Sequence, residues 1–228
     1  MVKFDLNKDL DIQVLPEFLK VSGGGIDFSQ SIYKYHPDLK SIRKEYFVLL
    51  NEYVETFYKN HLTELQNKVN HLQKDWNVIE DRFVKECENI FNDNSLRNHE
   101  YTGYLSILPC NPRFLEKNMF QIFYLEKSSL GVTSHELLHF MFYQYTSTRL
   151  QNITNGLNPN DGIWWDVSEI FNNTVLSSTD LVNILGSDAE IPYPNHIKYL
   201  QKSKELFDSR KDIEMYIKDL FKLLEENS

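Results

Sequence analysis

Apolar positions recur along this chain with changing period, and the period predicts the elements. Residues 9–15 alternate, with Leu10, Ile12 and Val14 against Asp11 and Gln13, which predicts a short strand closed by Pro16. Ser22-Gly-Gly-Gly25 has no Lys-Ser/Thr after it, so it predicts a flexible turn, not a phosphate loop. Beyond Pro37, apolar residues return at spacings of three and four: Leu39, Ile42, Tyr46, Leu49, Tyr53, Phe57, Leu62, Leu65, Val69 and Leu72. This predicts a long amphipathic helix over 38–74, with Lys40, Lys44, Glu52, Glu55 and Lys59 on its other face. Asn77 with Glu80 three residues later has the form of a capping pair, which starts a second helix to residue 91, ended by Asn92-Asp-Asn-Ser95.

The pattern then changes to β. Tyr101 to Leu108 is strand-like, and Met119-Phe-Gln-Ile-Phe-Tyr-Leu125 is nearly continuous apolar and reads as an interior strand. Gly103 and Pro109 mark the first of these as the sheet edge. An apolar helix over 131–148 follows, with Thr133 or Ser134 at its start; the loop 152–162 is rich in Asn, Gly, Pro and Asp. A helix over 163–176 comes next, then a short one from Thr179 stopped by Gly186. Asn195 caps a helix over 196–207, and Ser209 starts a last one with Ile213, Tyr216, Ile217, Leu220 and Leu224 as its buried stripe. The sum is an α+β fold, mostly helical. A small mixed sheet packs on the helix over 131–148, with further helices at both ends. Composition divides the chain into 1–95 and 96–228, within what is expected to be one compact unit.

Composition narrows the function. The 228 residues are 41% hydrophobic and 14% aromatic, enough for a real core. A net charge of −9 argues against nucleic acid as a partner. The first residues are interrupted by charges and no apolar run approaches a bilayer span, which predicts a cytoplasmic protein with no membrane contact; oligomeric state is not encoded legibly. Two cysteines in unlike contexts, Cys87 and Cys110, do not make a disulfide framework, and nothing around Cys110 would stabilise a thiolate.

The chemistry concentrates in Val132-Thr-Ser-His-Glu-Leu-Leu-His-Phe-Met141, which contains His-Glu-x-x-His at 135–139. On a helix, residues four apart are separated by about 40° of rotation and one turn of rise, so His135 and His139 can converge on one cation. Glu136 lies about 100° round from His135, badly placed as a ligand but able to reach a water on the metal. Two neutral imidazoles and a basic carboxylate suit one Zn²⁺ per chain with an open coordination position. The neighbours Leu137, Leu138, Phe140 and Met141 are apolar, where a solvated helix would carry charge. A third protein ligand must come from elsewhere. Glu169, mid-helix among apolar residues, and Asp166, one helical step earlier, are the candidates.

Residues 132–141 resemble the active-site helix of the zincin metallopeptidases, whose extended pattern they fit throughout. The segment 163–176 is similar to the glutamate helix of the gluzincin branch, and the likeness covers roughly residues 101–177 of a compact, minigluzincin-like form. The resemblance implies a zinc-dependent peptidase acting on a peptide or protein. His135, His139 and Glu169 would hold the metal and Glu136 would act as general base. Where the family often has an acidic residue bonded to the first histidine, this chain has Asn173, a weaker match for that role. Tyr193 and His196 are the candidates for the donor that stabilises the oxyanion. The family adds extended peptide to an edge strand, a role that would fall to residues 103–109, with Gly103, Leu105 and Ile107 in contact. Two other classes stand beside this expectation: a zinc-holding module without turnover, and a metal-free helical interaction protein built on the long helix.

Overall fold

A computed structural model describes residues 1–42, 46–93, 99–186 and 192–227. The fold is α+β and mostly helical, with a small mixed sheet, as the pattern predicts. The chain divides into two units, each discontinuous in sequence: 1–78 with 100–132, and 79–99 with 133–228. A cut near residue 95 does not anticipate this, because the sheet of the first unit is built from strands on both sides of it.

The first unit carries the four-stranded sheet. Strand β1 (Val2–Leu6) and strand β4 (Tyr101–Ser106) run parallel, β4 and β6 (Met119–Phe123) run parallel, and β5 (Arg113–Phe114) is antiparallel to β6, in the order β1-β4-β6-β5. The true N-terminal strand is β1, where Val2 and Phe4 are buried against exposed Lys3 and Asp5. The strand expected at 9–15 is instead helix α1 (Lys8–Phe18). Its buried residues, Leu10, Asp11, Val14, Leu15 and Pro16, follow a helical stripe, and the Asn7 side chain caps it by accepting from the Leu10 amide at 3.0 Å. The glycine triplet forms the turn of a small hairpin, β2 (Ser22–Gly23) with β3 (Ile26–Asp27); Gly24 and Gly25 have φ of 59° and 91°, which a side chain would disfavour.

β4 is not an edge, contrary to the expectation from Gly103 and Pro109: it is hydrogen-bonded on both sides, to β1 and to β6. Gly103 is there for closeness of approach. A Cβ at that position would fall 2.6 Å from the Phe4 ring and 3.1 Å from that of Phe120, the residues paired with it on the two neighbouring strands. The outer side of β1 is covered as well, since the Gln73 side chain accepts from the Phe4 amide (2.9 Å) and donates to the Val2 carbonyl (3.2 Å).

A buried carboxylate ties α1 to this sheet. Asp11 accepts from Ser106 Oγ (2.5 Å), Gln121 Nε2 (2.7 Å), Tyr58 Oη (2.7 Å) and the Ile107 amide (3.1 Å). Burial pushes its carboxyl above the usual carboxylate range, and the bonds from Ser106, Tyr58, Ile107 and Gln121 offset only part of that. Helix α2 (Phe28–Tyr35) leads to His36, which is also buried; its Nε2 donates to the Ile107 carbonyl (2.7 Å), leaving Nδ1 to accept from Tyr53 Oη (2.8 Å).

After a 3₁₀ turn at Pro37–Ser41, one helix, α3, runs uninterrupted from Phe47 to Phe91, where two were expected. Residues 43–45, at the start of the predicted stretch, lie outside the described residues. Asn77 is no cap: it sits mid-helix and accepts from Gln73, four residues earlier, at 2.8 Å. The buried stripe Leu65, Val69, Leu72, Trp76, Ile79, Phe83, Cys87 and Phe91 crosses residue 77 without a break in period. Near the start of α3 the seam is Leu50, Val54 and Tyr58, while Tyr46 and Leu49 are exposed. The helix ends where Asn92 takes φ of 50° and the Asp93 amide reaches back to the Glu88 carbonyl at 3.1 Å, a Schellman close; Asn94 and Ser95 lie outside the described residues.

The second unit is helical. Helix α4 (Ser129–Arg149) reaches it from residue 133 onward, a one-turn helix α5 (Gln151–Thr154) follows, and then come α6 (Ile163–Leu176) and α7 (Thr179–Leu185), the last closed by Gly186 at φ of 72°. Helix α8 (Ile197–Ser209) starts after His196 with no capping side chain, so Asn195 is not its cap, and Ser209 ends it. Helix α9 (Ile213–Glu225) is capped by Asp212, which accepts from the Met215 amide at 2.8 Å, and it buries the predicted stripe. α6 lies against α8 and α9, and a buried hydroxyl chain runs from Thr174 through Ser203 to Tyr216 at 2.6 and 2.7 Å.

Candidate metal centre

Two helices with almost no charge build the centre. On α4 every residue from Gly131 to Tyr143 is buried, which explains why apolar residues flank both histidines. On α6 burial is unbroken from Val167 to Leu176, and Glu169 lies within that run at 2% exposure. Such a carboxylate needs a partner, and it has two. Glu169 Oε2 lies 3.1 Å from His135 Nε2, and Oε1 lies 3.2 Å from His139 Nε2. The two Nε2 atoms are 2.9 Å apart.

With ligand bonds of about 2.0–2.1 Å, the ligand atoms of a tetrahedral site lie about 3.3 Å apart. The two Nε2 atoms are 2.9 Å apart, and one ligand atom from each of His135, His139 and Glu169 lies within 4.8 Å of the others, so the group could hold a cation of this size after side-chain adjustment. His135, His139 and Glu169 are the group among the described residues whose ligand atoms converge in this way. Burial alone would raise the Glu169 carboxyl, but the charge and hydrogen bonds of the His139 and His135 rings outweigh it and hold the group well below the usual carboxylate range. Glu136 is buried beside the first ligand, at 4% exposure.

The two helices are fastened by polar rungs. Trp164 Nε1 donates to Thr146 Oγ1 (3.2 Å), Tyr143 Oη and Ser168 Oγ are 2.7 Å apart, and Asn172 Nδ2 donates to the His135 carbonyl (2.8 Å). Partners on α6 rise in number as those on α4 fall, so the helices are antiparallel and each rung fixes the same register. Tyr143 also donates to the Pro159 carbonyl (2.6 Å) and stacks on the His139 ring, 6.0 Å between centroids at 18°. Sequence reasoning passed over Tyr143, Ser168 and Asn172. The available signal was two polar residues at helical spacings from the cluster, Tyr143 four after His139 and Asn172 three after Glu169; Ser168 adjoins Glu169 and carried none.

Asn173, expected to bond the first histidine, instead donates to the Glu169 carbonyl one turn back (2.9 Å); the neighbouring Asn172 reaches His135, and does so through its main chain. Asp166 is not among the converging groups. Its Oδ1 accepts from His196 Nε2 at 2.7 Å, which leaves Glu169 as the third member of the cluster. Tyr193 and His196 do come together, packed with Trp165: ring centroids are 5.2 Å apart for Trp165–Tyr193, 5.3 Å for Trp165–His196 and 5.7 Å for Tyr193–His196. This group adjoins the first turn of α6, one turn before Glu169.

Gly103, Leu105 and Ile107 belong to the first unit, and an edge role does not fit them. The ladder to β1 and β6 occupies β4 on both sides. The Ile107 amide is bound to Asp11 and its carbonyl to His36, so neither is open to an added peptide. Burial raises both thiols, at Cys87 and Cys110, which removes a thiolate nucleophile from consideration. Among the described residues no helix is long and apolar enough to cross a membrane. No protein-family model matches the chain, and no curated protein and no solved structure matches it.

Proposed function

We propose that this chain is a zinc-dependent peptidase of the zincin type, with His135, His139 and Glu169 as metal ligands and Glu136 as general base. The observation that carries the reading is the convergence of two imidazole nitrogens and one anionic carboxylate inside a buried helix pair, with a second carboxylate next to the first ligand. Bound there, Zn²⁺ would supply Lewis acidity and bring the pKa of a water toward about 7. The remaining steps belong to the chain. Glu136 accepts the proton of the attacking water and returns it to the leaving nitrogen. Tyr193 is the donor for the oxygen that gains charge, and His196, whose Nε2–H is taken by Asp166, packs beside it and positions it. The rungs from Tyr143 to Ser168 and from Asn172 to His135 keep the ligands in register.

The test is Glu136→Gln. The variant is expected to retain about one zinc per chain by plasma mass spectrometry and to lose cleavage of a peptide library by at least about a hundredfold, the usual scale of general-base loss. Undiminished turnover in Glu136→Gln would end the peptidase mechanism. The low exposure of all four groups, 6, 4, 0 and 2% for His135, Glu136, His139 and Glu169, favours a second reading in which the metal is held without turnover. Zinc in the wild type with no peptide cleaved from any library would select it.

A further inference from the structure

A groove of about 800 Å³ lies within the second unit, formed by the end of α3, the end of α4 and the turn between α8 and α9. Its lining includes Arg149, Arg210, Lys211 and Lys218, four cations in a chain of net charge −9. It also includes Asp212 and Glu214, but these are engaged: Asp212 caps α9 through the Met215 amide, and Glu214 pairs with Lys218 at 2.7 Å. The other three cations are not. Among the described residues, Arg149, Arg210 and Lys211 make no direct ion pair, although Asp208 and Glu86 act on Arg210 at longer range.

Arg210 is held in place by its own neighbours, with Asp208 and Glu86 acting on its charge from beyond ion-pair distance. Its guanidinium lies 3.5 Å from the centroid of the Phe207 ring, and Nη1 donates to the Phe207 carbonyl. Stacking fixes the plane of the fork, and one main-chain bond uses one edge of it, so the other N–H groups are pre-organised for an oxyanion. Tyr145, also on the lining, is near Arg149 and near the carboxylates of Glu214, Asp212 and Asp93.

We infer that this groove is a binding site for a small polyanion, a molecule with two or more phosphate or carboxylate groups, clamped by Arg149, Arg210 and Lys211. The site is separate from the His135–His139–Glu169 cluster and does not depend on the metal reading. Its volume suits a ligand of metabolite size.

Site-specific protection tests it on the full chain. Acylation of Lys211 and phenylglyoxal modification of Arg149 are followed by peptide mass spectrometry in inorganic phosphate, in propane-1,2,3-tricarboxylate, and in chloride at matched ionic strength. Lys204, exposed on α8 and outside the lining, is the internal control. At saturating ligand both rates are expected to fall by at least about fivefold relative to chloride, with Lys204 unchanged. Protection by phosphate alone or by tricarboxylate alone identifies which oxyanion the site takes. Arg149→Glu, an exposed change that should leave the fold intact, is expected to abolish protection at Lys211. Equal rates in all three salts, or protection of Lys211 that persists in Arg149→Glu, would overturn the inference.

Discussion

Glu169→Ala is the sharpest perturbation of the centre, because it separates the third ligand from its rival one turn earlier. A full structural zinc site in a small peptide binds with about 10–16 kcal/mol shared among four ligands, so one ligand contributes on the order of 2.5–4 kcal/mol. Part of that is offset here. Glu169 also bonds both imidazoles directly, at 3.1 and 3.2 Å, so the carboxylate has partners besides a cation. The expected loss therefore lies at the lower end, about a hundredfold in zinc affinity, or roughly 2.7 kcal/mol. Asp166→Ala should change affinity by less than about threefold, since its carboxylate serves His196 and not the cluster. Competition against a chromophoric zinc chelator at constant pH measures all three proteins, with far-ultraviolet circular dichroism as the check that the helices persist. Wild-type affinity in Glu169→Ala, or a loss in Asp166→Ala as large as that in Glu169→Ala, would refute the assignment.

Two buried groups in the first unit predict opposite responses to pH. Burial lowers His36 below its ordinary value of 6.5, so the unfolded chain binds the extra proton first; the stability it contributes is present above 6.5 and is lost as pH falls through the lower folded value. Urea midpoints should fall with acidification more steeply in wild type than in His36→Gln, and equal slopes would contradict this. Asp11 is raised above 3.8, so its ionisation in the fold opposes stability as pH climbs from 3.8 through the folded value. Asp11→Ala should nevertheless cost about 3–5 kcal/mol in a guanidinium melt, because the Ile107 amide, the Gln121 amide and two hydroxyls lose a common acceptor in a buried place. A loss under about 1 kcal/mol would show that this network is not what fastens α1 to the sheet.

The two helices of the centre were legible because burial leaves a one-dimensional trace. On α4 and α6 the absence of charge over whole turns marks helices enclosed on all sides, and on such a background His135, His139 and Glu169 stand out as groups in need of partners. The stripe on α9 and the Gly186 stop were legible for similar reasons, each resting on neighbours within a few residues. The errors came where a local pattern had two readings. Leu10, Ile12 and Val14 alternate as a strand would, yet Leu10, Val14 and Leu15 also make a helical stripe, and the Asn7 cap before them favours the helix. The true alternation at Val2 and Phe4 lay in the stretch read only for its charges. Asn77 and Glu80 match a capping pair, but the apolar period passes through them undisturbed, and period over eight buried positions outweighs a motif of two.

What no local pattern could supply is which distant group answers each buried polar one. Asp11 meets Ser106 and Gln121 across 95 and 110 residues, and His36 meets Ile107 across 71. These bonds decide that the N-terminal region and the strands form one unit and that β4 lies in its middle, so the error over the sheet edge and the unforeseen division of the chain have one cause. Gly103 shows the same limit. Its lack of a side chain suggested an exposed edge, whereas it serves two rings, Phe4 and Phe120, that close over the middle strand from either side. The metal cluster escaped this limit only in part. Two members of the candidate cluster came from a four-residue spacing; a carboxylate in an apolar helix needs a partner, which left Glu169 and Asp166 both open, and the likeness to a glutamate helix favoured Glu169.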